Sequence, residues 1–210
     1  MMLPKKTLII IFVFSTILLI SAIIIYILSE EKRLLSEFLH KLEKADEESL
    51  VKILSKISNS NPSKYFFLKG LKDFYDGNEK SAISNLTKAI STPGLSEKEI
   101  GASKILIGQY LLLEKKDTKG LDLLTSGEAY KSFPEHVSFI IGMYNFEKGS
   151  YEEALEFFIP LTNAQNKEVR EEALVRISFI QTAKYGKVSE EIKKQLSEIN
   201  KELYKNLLTD

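Results

Sequence analysis

The chain has 210 residues, and its 29 lysine and arginine residues are balanced by 29 aspartate and glutamate residues. A neutral balance provides no overall positive field for binding nucleic acid. Cysteine is absent, which excludes disulfides, zinc–thiolate sites and iron–sulfur clusters. The two histidines, His40 and His136, lie far apart in the sequence, so we do not expect a histidine-based metal or acid–base site.

The first predicted element is the apolar stretch at residues 7–28, which contains no charged residue, glycine or proline. At about 1.5 Å per residue, a helix of this length spans roughly 33 Å, close to the hydrocarbon thickness of a bilayer. The stretch is too long and its exit too bulky for a cleaved signal peptide. We therefore expect an N-terminal transmembrane helix that acts as an uncleaved anchor, preceded by a short cytoplasmic tail at residues 1–6.

The charges that flank this stretch bear on its orientation. Lys5 and Lys6 precede it, and this favours a cytoplasmic N-terminus with the remainder of the chain on the other side. Lys32 and Arg33 follow it closely and leave the reverse topology open.

From residue 30 onward the chain is predicted to be all-α. Apolar residues recur at spacings of three and four, and strand-like alternation is scarce. Short breaks rich in glycine, proline and asparagine separate segments of helical length. Residues 30–62 are expected to form membrane-proximal capping helices, and residues 163–210 C-terminal capping helices.

Residues 63–162 contain three copies of one spacing pattern. In each copy a glycine is followed after twelve residues by a second small residue and after sixteen by a large apolar residue. The glycines are Gly70, Gly108 and Gly142, the small residues are Ala82, Gly120 and Ala154, and the large residues are Leu86, Leu124 and Phe158. Seven residues after the first glycine, two copies have Gly77 and Gly149 where the middle copy has Lys115. We expect the small residues to let paired helices approach closely while the large ones fill the space between layers.

This pattern, together with the Gly-Ser-Tyr-Glu-Glu-Ala-Leu run at residues 149–155, resembles the tetratricopeptide repeat (TPR) family. The unit of that family is 34 residues long and forms two antiparallel helices, and Gly108 and Gly142 are 34 residues apart. The resemblance implies a right-handed α-solenoid with three repeats in residues 63–162. A helical bundle without TPR geometry is the alternative.

The resemblance also implies a concave surface, formed by the first helix of each repeat, that grips an extended or helical peptide. Carried over by position, this predicted concave surface consists of Phe67, Leu71, Phe74, Ile105, Gln109, Leu112, Phe139, Met143 and Phe146. Because the set is largely apolar, the alternative is that these side chains belong to the core or are covered by the last helix.

No nucleophile–base set, phosphate-binding loop or metal-binding motif is present in the sequence, so we expect neither an enzyme nor a cofactor. The Asn85-Leu86-Thr87 sequon is expected to lie in a packed helix and to remain unglycosylated.

The resulting hypothesis is a membrane-tethered TPR scaffold or adaptor. It would bind a protein or peptide partner, possibly with a chaperone-like role for exported proteins, and would resemble bacterial single-span TPR proteins whose domain projects from the cytoplasmic membrane. A cytosol-facing import-type receptor with reversed topology is one alternative. A structural subunit that uses its helices to oligomerise is another.

Overall fold

The computed structural model describes residues 37–38, 40–42, 44 and 46–200. Within these residues the chain is helical, and no strand occurs in them. The α-helices are α1 Glu47–Ser60, α2 Pro62–Tyr75, α3 Glu79–Ser91, α4 Glu97–Gln109, α5 Lys119–Leu124, α6 Gly127–Ser132, α7 Pro134–Glu147, α8 Tyr151–Leu161, α9 Lys167–Tyr185 and α10 Glu190–Asn200. A π-helix, Tyr110–Glu114, follows α4 directly.

In α1, α2, α4 and α9 the side chain of the residue before the helix accepts a hydrogen bond from a free amide of the first turn. Asn61 accepts a hydrogen bond from the amide of Lys64 at 3.0 Å, with Pro62 at the first position of α2. Ser96 and Glu99 form a reciprocal capping box at the start of α4. Such caps stabilise a helix terminus by about 1 kcal/mol each, so local sequence fixes where these helices start.

The chain divides into two compact units. Among the described residues, the first unit comprises the chain up to Tyr110 together with 122–132, and the second comprises 111–121 and 133–200. In the first unit α1 packs on α2, α2 on α3, α3 on α4 and α4 on α6. In the second unit α8 packs on α7, and α9 contacts α7, α8 and α10. In both units, therefore, the packing follows chain order.

Two helix pairs are built around the same contact between a glycine and a large apolar residue. A Cβ atom placed on Gly70 of α2 would lie 2.7 Å from Cγ of Leu86 on α3. One placed on Gly142 of α7 would lie 2.6 Å from Cε1 of Phe158 on α8. The two helices of each pair thus lie closer together than they could if position 70 or 142 held a residue larger than glycine. Leu86 and Phe158 are themselves fully buried.

The middle copy of the pattern is built differently. Its second helix is interrupted between α5 and α6, and its first helix ends in the π-helix. The close backbone approach lies at Gly101, where a Cβ atom would be 2.5 Å from the carbonyl oxygen of Glu128 on α6. The contact at Gly101 is thus with the backbone of the neighbouring helix, whereas the nearest atoms to Gly70 and Gly142 belong to side chains.

The fold class predicted from the sequence included an N-terminal transmembrane helix, and this part of the prediction is corrected. No helix among the described residues is long and apolar enough to cross a bilayer. Even α9, with 19 residues, carries charged residues in nearly every turn, and each would cost about 2.5–3.5 kcal/mol at the bilayer centre. The predicted span at residues 7–28 and the tail at 1–6 lie outside the described residues. The predicted single-pass localisation in a cytoplasmic membrane is corrected with it, because it rested on that span.

Candidate functional site

Most of the predicted concave surface lies inside the protein. Five of its nine side chains are buried: Phe67, Leu71, Ile105, Gln109 and Leu112. The other four are half-buried: Phe74, Phe139, Met143 and Phe146. In this conformation the five buried side chains are packing residues, because a partner cannot reach them without rearranging the helices.

The predicted surface residues on α7 pack against the core of the second unit. Phe139, Met143 and Phe146 contact a cluster formed by α8, α9 and α10. The ring centroid of Phe139 lies 5.7 Å from that of Phe158, and the centroid of Phe146 lies 5.7 Å from that of Tyr151. Both pairs are tilted, with interplanar angles of 47° and 48°, and their spacings are within the range of interacting aromatic rings, so the rings already have partners within the unit.

All six residues predicted to mediate repeat packing are buried: Gly70, Ala82, Gly108, Gly120, Gly142 and Ala154.

Asn85 of the sequon is also buried, and its amide donates to Oδ2 of Asp73 at 2.6 Å. That side chain therefore bridges α3 to α2.

An open groove in the second unit is lined by residues of α8, α9 and α10 and of the segments that follow α8 and α9. Its volume is about 270 Å³. The apolar lining consists of Leu155, Ile159, Ile177, Tyr185 and Ile192. The polar lining consists of Thr162, Gln181, Ser189, Glu191 and Gln195. We call this feature the α8–α10 groove.

Two large apolar side chains in the α8–α10 groove are exposed to solvent. Ile159 is 55% exposed and Tyr185 is 65% exposed, whereas Ile177 and Ile192 beneath them are buried. Isolated exposed apolar residues are common on protein surfaces. Here the exposed residues line a concavity with a buried apolar floor, which makes the groove a candidate for covering by a partner.

Hydrogen bonds and an ion pair hold the walls of the groove. Oε1 of Gln181 accepts from the amide of Ser189 at 2.8 Å and ties α9 to the start of α10. Lys184 of α9 pairs with Glu152 of α8. The hydrogen bond between them raises the pKa of Lys184 and lowers the pKa of Glu152. Both groups therefore remain charged at neutral pH, although an exposed pair of this kind contributes little stability.

The groove has the chemistry of a binding surface. It contains one carboxylate, from Glu191, and no histidine. Within the described part of the chain, no three histidine, aspartate or glutamate side chains converge on a possible metal site. Aliphatic and aromatic walls with a few amides and hydroxyls suit an apolar side chain flanked by polar groups.

Sequence reasoning missed the groove because it followed the first helix of each pair. Ile159 lies on the second helix of its pair, and Tyr185 lies at the end of a segment that was predicted only to cap the chain. A signal was present in α8, where Leu155, Ile159 and Thr162 form a stripe distinct from the core stripe of Ala154, Phe158 and Leu161. A helix with two apolar stripes has a second surface to cover.

Comparisons with protein-family models, with characterised proteins and with solved structures find no match for this chain. The resemblance to TPR proteins therefore stays a prediction from the repeat pattern.

Proposed function

We propose that this chain is a TPR-like helical-repeat scaffold whose second unit binds a protein or peptide partner in the α8–α10 groove. The observation that carries the proposal is the exposure of Ile159 and Tyr185 over a buried apolar floor. Water in contact with these side chains would be released when a partner covers them, and this release favours association.

The turn geometry supports the TPR-like part of the proposal. The helix pairs α2–α3, α7–α8 and α9–α10 each turn on a glycine in the left-handed region, with φ of +75° at Gly77, +76° at Gly149 and +73° at Gly186. The turns at Gly77 and Gly149 also share a hydrogen bond, from the glycine amide to the carbonyl oxygen of Phe74 and of Phe146, and a repeated turn is expected of a repeat protein. The α9–α10 turn differs, because Gly186 itself caps α9 and three residues separate it from the start of α10.

The size of the groove sets the expected strength of binding. Complete burial of an isoleucine side chain contributes about 1.5–3 kcal/mol, and Ile159 is already partly covered. A groove of this volume therefore anchors a partner weakly, and firm binding requires further contacts along the repeat surface. Such behaviour suits a scaffold that holds several weakly bound components together.

Site-specific photocrosslinking in the full-length chain tests this function. A photoreactive phenylalanine analogue at Ile159 should yield a discrete adduct in cells that naturally produce the protein. The same analogue at Val51 is a matched control, because Val51 of α1 is 61% exposed in the other unit. The adduct at position 159 should disappear when Tyr185→Asp is added. An adduct unaffected by Tyr185→Asp, or no adduct at position 159, would contradict the proposal.

A further inference from the structure

The turn of the middle copy contains one residue more than the turns of the outer pairs α2–α3 and α7–α8. One hydrogen bond spanning five residues closes each outer turn, from the amide of Asn78 to the carbonyl oxygen of Asp73 and from that of Ser150 to that of Asn145. In the middle copy the corresponding bond spans six residues, from the amide of Asp117 to the carbonyl oxygen of Leu111 at 2.9 Å. All three acceptors lie three residues after the first glycine of their copy, so the extra residue lies between acceptor and donor.

The backbone accommodates the extra residue in two uncommon conformations. The first is the π-helix Tyr110–Glu114, a form that is rare in proteins and frequent at functional sites. The second is the left-handed conformation of Lys116, at φ +54°, where the outer turns have Gly77 and Gly149. A side chain is strained in this conformation. Lys115 would be strained there by a similar amount, so the turn itself does not decide between the two lysines.

Burial of Leu113 favours the observed arrangement. Leu112 and Leu113 are both buried, with exposures of 0% and 6%. Leu113 lies five residues after the glycine of its copy, and the outer pairs have exposed residues at this offset, Tyr75 and Glu147. The π-helix thus places in the core a leucine that a continuous α-helix would leave at the surface, and this burial is favourable.

Independently of the α8–α10 groove, we propose that residues 110–117 form a register switch with two hydrogen-bonded states. The first state, the π register, is that of the structure. In it Lys116 is left-handed, the carbonyl oxygen of Leu111 accepts from the amide of Asp117, and Leu113 is buried.

The second state, the α register, has the turn geometry of the outer pairs. Lys115 takes the left-handed conformation, the carbonyl oxygen of Leu111 accepts from the amide of Lys116, and Leu113 moves to the surface. Hydrogen bonding in residues 110–114 becomes α-helical, which opposes the loss of apolar burial. The switch therefore sets whether position 113 is part of the core or part of an apolar surface, and any factor that favours one state shifts the population toward it.

Hydrogen exchange at individual amides of the full-length chain, measured by NMR, tests the switch. The amide of Asp117 is released in the α register, so its protection factor reports the population of that state. Lys115→Gly relieves the strain of the α register and should lower this protection about fivefold. Lys116→Gly relieves the strain of the π register and should raise it about fivefold. Both lysines are exposed, so neither substitution disturbs the core.

The outer pair α7–α8 provides the matched control for added flexibility. Lys148 directly precedes the left-handed Gly149, as Lys115 precedes Lys116. This turn has no extra residue and hence no second register, so Lys148→Gly should change the protection of the Ser150 amide less than twofold.

A double variant tests the identity of the second state. Leu113→Gln combined with Lys115→Gly removes the burial that favours the π register, so the α register should become the main state. The protected amide should then be that of Lys116 and no longer that of Asp117. Three results would each overturn the proposal: the two single lysine variants change Asp117 protection in the same direction, Lys148→Gly lowers Ser150 protection fivefold, or the double variant keeps Asp117 as the protected amide.

Discussion

The helix pairs α2–α3 and α7–α8 share their packing and differ in the basic residue that each has at one equivalent position. Each brings a glycine of its first helix against a large apolar residue of its second, Gly70 against Leu86 and Gly142 against Phe158. Six residues before the glycine, the first pair has Lys64 and the second has His136. Lys64 is buried with an opposite charge from Glu99, whereas His136 is desolvated and neutral at physiological pH. One packing scheme thus accommodates a buried ion pair at one position and a half-buried, neutral imidazole at the equivalent position.

The largest effect should come from removing the counter-charge of Lys64. Glu99→Gln should destabilise the protein by about 3–5 kcal/mol, because a buried ammonium group would lose its partner. Glutamine still serves in the capping box with Ser96, so urea unfolding would report the loss of charge rather than the loss of the cap.

The control lies on the same helix. Glu97 pairs with Lys131 at 3.6 Å, and both side chains are exposed, so Glu97→Gln should change stability by less than about 0.5 kcal/mol. The double variant Lys64→Met with Glu99→Gln should recover most of the loss. If Glu97→Gln and Glu99→Gln lower the free energy of unfolding equally, the buried pair stabilises the protein no more than the exposed one.

The next effect separates the middle copy from the two outer pairs. Gly101→Ala should cost about 3 kcal/mol, because the added methyl group would meet the backbone oxygen of Glu128, which cannot rotate away. Gly70→Ala and Gly142→Ala should cost about 1–2 kcal/mol, since the nearest atoms to the added methyl group belong to the side chains of Leu86 and Phe158. Thermal or urea unfolding measures all three. Gly127→Ala is the control, as its added Cβ would meet nothing within 4 Å; a cost at Gly101 no greater than at Gly127 would refute the close approach.

His136 should make the second unit sensitive to mild acid. Burial lowers the pKa of His136 to about 4 from 6.5, and the neighbouring Glu135 offsets only part of this effect. The unfolded chain therefore binds the proton more readily, and stability should fall by about 2 kcal/mol as the pH drops from 6.5 to 4. The check is urea unfolding of the wild type and His136→Gln over this range. Parallel pH profiles for the two proteins would contradict the prediction.

The smallest effect concerns the turn of the middle copy. Lys116 is the described non-glycine residue with positive φ, at +54°, and a side chain costs about 1 kcal/mol in this conformation. Lys116→Gly should therefore stabilise the protein by about 0.5–1 kcal/mol, even though the exposed ion pair of Lys116 with Glu147 is lost. Lys115→Gly should not stabilise it. The midpoint of urea unfolding distinguishes the two variants. If Lys115→Gly stabilises the protein and Lys116→Gly does not, the left-handed residue is Lys115.

The sequence predicted most helices and the contacts of Gly70 with Leu86 and of Gly142 with Phe158. It could do so because a small and a large residue at a fixed offset face each other when two helices pack side by side. It missed the middle copy, where Lys115 lies at the offset that Gly77 and Gly149 have in the outer copies, whereas the residue in the left-handed region is Lys116. The π-helix at Tyr110–Glu114 has hydrogen bonds that span one more residue than those of an α-helix, so the turn falls eight residues after Gly108 rather than seven. No residue in that segment signals the change.

The candidate site was harder to predict than the fold. Leu71 and Ile159 are both apolar residues on amphipathic helices, yet one is buried and the other half exposed. The difference depends on which neighbouring helix covers each residue, and this is a property of tertiary packing that helical periodicity does not contain. The resemblance directed attention to the first helix of each pair, and the groove lies beside the second.

The left-handed glycines Gly77, Gly149 and Gly186 have a practical consequence for folding studies. A Cβ atom at any of them would meet nothing within 4 Å, so an alanine there strains the backbone without disturbing any packed side chain. Each of three helix pairs thus contains a site where it can be weakened alone and by a similar amount. Hydrogen exchange on such a set of alanine variants would reveal which pair opens first and how far cooperativity extends along the chain.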